Sequence, residues 1–96
     1  MEKTVFPQDA CDVIVRARFD GKRVSYNEEG KKLLRELEEE YEYIPHKDVY
    51  DGVSILRHLV RGSFLLKIKY VDHSVGIKYV DRVQLLDFFP NINLTV

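Results

Sequence analysis

From Val13 to Phe19 the chain alternates. Val13, Val15, Ala17 and Phe19 fall on one side and Arg16 and Arg18 on the other, the period of two expected of a half-buried strand. Asp20-Gly21 follows, a dipeptide suited to the positive φ angles of a tight hairpin turn. A two-residue loop there would pair Phe19 with Lys22, Arg18 with Arg23, Ala17 with Val24 and Val15 with Tyr26, which keeps the apolar residues on one face.

The period then changes. Asn27 is an N-cap candidate, and Glu28 and Glu29 suit the positive end of a helix. Leu33, Leu34, Leu37 and Tyr41 form one helical stripe, with Lys32–Glu36 and Arg35–Glu39 as i,i+4 pairs on the solvent side; Pro45 closes the segment. A second helix is expected from Val49 to about Arg61. Asp48 would cap it, Val49, Val53, Leu56 and Val60 (widened by Ile55 and Leu59) would form its stripe, and Gly62 would stand just past its end. Its β-branched content leaves a strand reading open.

Residues 63–71 read as a strand, 72–75 as a turn and 76–80 as the returning strand. Ile-Lys-Tyr-Val-Asp occurs at 68–72 and again at 77–81, two strands of one hairpin with the same good strand sequence. Pairing Tyr70 with Ile77 and Ile68 with Tyr79 would put aromatic and aliphatic residues together. Residues 81–89 fit a strand through Val83, Leu85 and Phe89, or a helical turn through Leu85, Leu86 and Phe89. Residues 1–8 read as a loose arm. In the tail, 90–96, Ile92, Leu94 and Val96 alternate with polar residues, a candidate edge strand or dimer contact.

These elements predict a single α+β domain over 1–96: an antiparallel sheet of two β-hairpins flanking two central helices, with the helices packed on one face. Composition agrees. The 96 residues are 45% apolar and 32% charged, too apolar for disorder, with no apolar run of membrane-spanning or secretory-signal length. A soluble, cytoplasmic chain is the expectation. One cysteine excludes an internal disulfide. Two alanines against twelve valines favour strands. Many Glu, Lys and Arg beside few Asn, Gln, Met and Cys are a thermophile's tendency.

Scans for chemistry return little. The chain has no phosphate-cradling glycine loop, nucleophile elbow or paired cysteines, and its three histidines are too scattered for metal-ligand spacing; no cofactor and no metal are expected. His46, followed by Lys47-Asp48, and His58 are the weak catalytic candidates, each read more simply as a loop residue and a solvated helix residue.

Charge is more informative. The net charge of −1 conceals segregation: residues 16–23 hold four basic residues against Asp20, residues 28–42 seven Glu against three basic residues, and residues 63–82 four basic against two acidic. The expected registers put Arg18 opposite Arg23 and Lys69 opposite Lys78, like charges that an anion could relieve or that simply guard sheet edges. Arg16, Arg18, Arg23, Lys67, Lys69 and Lys78 are therefore the candidates for phosphate contact. Tyr41, Tyr43 and Tyr50, around Pro45, are candidates for partner contact, together with Ile92 and Leu94 of the tail.

Three functions follow as expectations. The first is a cofactor-free binding or regulatory module that works through protein contacts with an unidentified partner, as a homodimer, since a second copy would extend a small core. The second is a nucleic-acid binder using its basic hairpins, and the third a small enzyme with an interface histidine as acid or base.

Overall fold

The computed structural model describes residues 4–47 and 49–94. Its elements are β1 (Thr4–Val5), a 3-10 turn (Gln8–Ala10), β2 (Val13–Val15), β3 (Ala17–Phe19), β4 (Val24–Tyr26), α1 (Glu28–Glu40), β5 (Tyr41–Ile44), β6 (Tyr50–Asp51), β7 (Val53–His58), β8 (Phe64–Lys69), β9 (Val75–Val80) and α2 (Arg82–Phe88). The α+β class holds. A five-stranded antiparallel sheet runs in the order β2-β9-β8-β7-β5, with two small two-stranded pairs beside it, β1 parallel to β6 and β3 antiparallel to β4.

The sheet is covered on both faces. One face carries Ile44, Val53, Ile55, Leu66, Ile68 and Val80 and is closed by Phe6, Leu85 and Phe89. The other carries Val15, Leu56, Leu65, Val75 and Ile77 and is closed by α1 through Leu33, Leu34 and Leu37. This corrects the expectation of two central helices on one face, because the second helix is α2 and lies on the face opposite α1.

The helix expected at 49–61 is absent. Residues 50–58 form β6 and β7 with a kink at Gly52, whose φ of +70° and lack of a Cβ let the carbonyl of Lys69 approach and accept no clash. The misreading has a physical cause. The strand is buried on both faces, so the adjacent apolar Ile55 and Leu56 break the alternation, and Val53, Ile55 and Leu56 satisfy a helical stripe by accident. Gly62, with φ +73°, turns the β7–β8 hairpin instead of ending a helix. Asp48, the cap assigned to that helix, lies outside the described residues.

α1 begins where the cap placed it: Asn27 Oδ1 accepts from the Gly30 N–H at 2.7 Å. The ambiguous segment 81–89 is helical because Asp81 and Gln84 close a reciprocal capping box, Oδ1 accepting from Gln84 N–H at 2.8 Å and Gln84 Oε1 from Asp81 N–H at 3.0 Å.

Both chain ends differ from expectation. From Thr4 on, the arm is anchored: Phe6 is 2% exposed, edge-on to Tyr50 and Phe88 at 5.5 and 5.6 Å, and β1 pairs with β6. In the tail, residues 90–94 form no strand; Ile92 and Leu94 pack against the core of their own chain, and residues 95–96 lie outside the described region.

Both hairpin registers shift as well. Phe19 faces Val24, Arg18 faces Ser25 and Ala17 faces Tyr26, so the first loop has four residues. In the second hairpin Leu66 faces Lys78, Lys67 faces Ile77 and Lys69 faces Val75.

Candidate interaction surface

The strand from Val13 to Phe19 is divided between two sheets. Residues 13–15 join β9, Arg16 belongs to neither ladder, and residues 17–19 pair with β4 to form a separate ribbon. Its loop is held by Asp20, whose Oδ1 accepts from the N–H of Arg23 at 3.0 Å and of Lys22 at 3.4 Å, while Gly21 takes a φ of +88°. One face of the ribbon carries Ala17, Phe19, Val24 and Tyr26, the other Arg18 and Ser25.

The ribbon is tied to the β8–β9 turn at His73. Tyr26 Oη donates to the His73 carbonyl at 2.8 Å, and the Phe19 ring stacks on the imidazole at 6.0 Å with planes 12° apart. Phe19 is nevertheless 63% exposed. Arg16, Arg18, Lys22 and Arg23 are all exposed, and among the described residues none forms an ion pair.

Two clefts flank the root of the ribbon. One, about 320 Å³, lies between the outer side of β2 and the start of α1, lined by residues 13–16 with Asn27, Glu29, Gly30 and Leu33. The other, about 420 Å³, lies between β4 and α1, lined by Asp20, Arg23, Ser25, Tyr26 and Lys31. Gly30 sets the spacing here, since a Cβ at that position would stand 2.6 Å from Val15 Cγ1.

The remaining basic candidates do not join this cluster. Lys67 turns to the α1 face, 3.6 Å from Glu38 and 3.4 Å from Tyr43 Oη. Lys69 is exposed on that same face, and Lys78 is half-buried on the opposite one, beside Leu66. The expected Lys69–Lys78 and Arg18–Arg23 oppositions are absent, because Arg18 faces Ser25, Lys69 faces Val75 and Lys78 faces Leu66, while Arg23 lies in the loop beside Asp20.

The tyrosines separate as well. Tyr43 is 51% exposed and donates to Glu38 at 3.1 Å. Tyr50 is half-buried among Phe6, Phe88 and Phe89. Tyr41 is half-buried against His58 at 4.9 Å, and burial, then the nearby Tyr79, pushes its phenol above the ordinary value.

The two histidines lie on opposite faces of the sheet. His46 stands edge-on to Phe89, its Nε2 3.2 Å from the Val53 carbonyl and its Nδ1 3.2 Å from the Lys47 carbonyl. His58 is buried rather than solvated. Its Nδ1 accepts from the N–H groups of Val60 and Arg61 at 3.2 and 3.0 Å, which places the ring proton on Nε2, where it meets no partner among the described residues. Among the described residues, neither ring is hydrogen-bonded to an acidic side chain, and no group of three or more His, Cys, Asp or Glu could hold a metal ion.

One contact had no signal in the sequence. Cys11 Sγ lies 3.3 Å from Tyr70 Oη, over Gly76, where a side chain would collide with both. Burial, then the bond to Cys11, pushes the Tyr70 phenol far above its ordinary range.

No helix among the described residues is long and apolar enough to cross a membrane. No protein-family model matches the chain, and neither the curated proteins nor the solved structures contain a match to it.

Proposed function

We propose that the protein is a cofactor-free binding module that acts through protein contacts, with the β3–β4 ribbon as its recognition element and a short acidic, extended segment as its ligand. The observation that carries this reading is the set of four cations without an ion pair among the described residues at Arg16, Arg18, Lys22 and Arg23, on a ribbon whose other face exposes Phe19, beside clefts of about 320 and 420 Å³. Aromatic and arginine side chains so placed are the residues that dominate binding hot spots. The basic zone is only as wide as the ribbon. Glu28 and Glu29 begin α1 beside it, so a short acidic segment fits where a long, uniformly charged strand meets repulsion at the margin.

A second reading has its own support. The Phe19–His73 stack leaves a platform on which a base of single-stranded nucleic acid could stack, with the arginines on its phosphates.

Titration of isotope-labelled protein separates the two. With a Glu-rich peptide, amide shifts are expected over residues 17–26, lost in an Arg16→Glu/Arg18→Glu/Arg23→Glu variant. Tighter binding of mixed-sequence oligonucleotide with a steeper salt dependence would replace the first reading by the second. No shift with either ligand at low salt would remove both.

A further inference from the structure

We infer that the ribbon's ligand is the β5 end of a second copy of this chain, so that copies associate head to tail through the two open edges of the sheet. The inference rests on the protein-binding reading above and names its partner.

The sheet ends in β2 on one side and β5 on the other, and among the described residues no strand covers either. Ladder bonds alternate along an antiparallel pair, so a hydrogen bond at one end of a ladder fixes the rest. Leu59 N–H donates to the Glu40 carbonyl at 2.9 Å and His58 N–H to the Ser63 carbonyl at 2.8 Å. Glu42 and Ile44 therefore turn their backbone groups toward β7, and Tyr41 and Tyr43 turn theirs outward. At the other edge, Tyr70 N–H donates to the Ser74 carbonyl at 3.0 Å, which directs Val75 and Ile77 to β2. Val13 and Val15 are thus bonded inward, and the N–H and C=O of Ile14 face the 320 Å³ cleft.

Charge selects the occupant. The β2 side carries Arg16, Arg18, Lys22 and Arg23. The β5 side carries Glu38, Glu39, Glu40 and Glu42, three of them in the last turn of α1, where no basic residue balances the negative helix end. That placement opposes the helix dipole. Glu38 is engaged by Tyr43 and Lys67, and Glu42 by Arg57; Glu39 and Glu40 are exposed and form no ion pair among the described residues. A β5–β5 or β2–β2 contact would bring like charges together, whereas β5 on the β2 side of the next copy brings opposite ones. Such a contact uses two different patches, and it propagates into a ring or an open chain instead of stopping at a symmetric dimer.

Sedimentation velocity over a concentration series tests this on four samples: the 11.3 kDa wild type, Arg16→Glu/Arg18→Glu, Glu39→Lys/Glu40→Lys, and an equimolar mixture of the two variants. The wild type is expected to associate beyond a dimer at low salt and to return to monomer at high salt. Each variant alone should stay monomeric, and the mixture should associate again, since its reversed edges are complementary. Circular dichroism confirms that both variants are folded. A wild type that is monomeric throughout, a discrete dimer indifferent to both variants, or a mixture that stays monomeric would each overturn the inference. A monomeric wild type whose ribbon still shifts with Glu-rich peptide overturns head-to-tail association alone; loss of both responses also removes the reading beneath it.

Discussion

The chain has two basic hairpins of similar composition and opposite fate. The β3–β4 ribbon stands at the edge of the molecule, tied by one hydrogen bond and one ring stack to the β8–β9 turn, with its cations in solvent. The β8–β9 hairpin is the centre of the sheet. Leu65, Leu66, Ile68 and Ile77 are fully buried, and its lysines are distributed over both faces. Both segments carry an excess of positive charge along the chain, denser in residues 16–23 than in 63–82; only the fold separates a surface available to a ligand from one consumed in building the domain.

The sharpest way to break this contrast is to truncate one apolar side chain in each hairpin. Ile77→Ala should cost about 2–5 kcal/mol of unfolding free energy, because it opens a cavity between β9 and α1. Phe19→Ala should cost under about 1 kcal/mol, since its ring is largely in solvent. Urea denaturation of both variants measures this, and equal losses would show the ribbon to be part of the core.

A smaller effect is expected at Gly76. Its Cβ would stand 2.6 Å from Cys11 Sγ and 3.0 Å from Tyr70 Cε2, so Gly76→Ala should destabilise by about 1–3 kcal/mol, again in urea. In the ribbon, Gly21 has nothing within 4 Å of such a Cβ, and only its positive φ opposes substitution.

The smallest effect concerns the β8–β9 turn. The Ser74 hydroxyl, then its N–H, with Gln8 beyond, hold the Asp72 carboxyl below its ordinary 3.8. A depressed carboxyl stabilises the fold fully above the unfolded value, and this contribution is lost as the pH falls through the folded one. Asp72→Asn should therefore flatten the decline of the urea midpoint between pH 5 and the acid limit. An unchanged slope would show that the turn is not held by this charge.

Much of the local structure was legible. Asn27 and the Leu33/Leu34/Leu37 stripe located α1, Phe64–Lys69 lies within the strand expected at 63–71, and Val75–Val80 begins one residue before the strand expected at 76–80. What failed was long-range. Burial on both faces disguised β7 as a helix. The second hairpin is paired three residues away from expectation, and an odd shift exchanges faces, which is why Lys67, Lys69 and Lys78 do not form the anticipated row. The first hairpin slipped by two, which keeps faces and leaves Arg16, Arg18 and Arg23 together on the ribbon. Loop length decides both registers, and Asp20 and Asp72 each lengthen a loop by capping it from within.

Arg16 has a further consequence. Because it lies between the two ladders and has a partner in neither register, the ribbon can open without loosening β2. Amides of β3 and β4 should exchange with solvent through that local event, while those of β8 and β9 wait for the whole domain to unfold. A partner's capture of the ribbon would then be recorded as slowed exchange in residues 17–26 alone. The molecule would carry its own internal clock, with the sheet as the reference against which occupancy of the ribbon is timed.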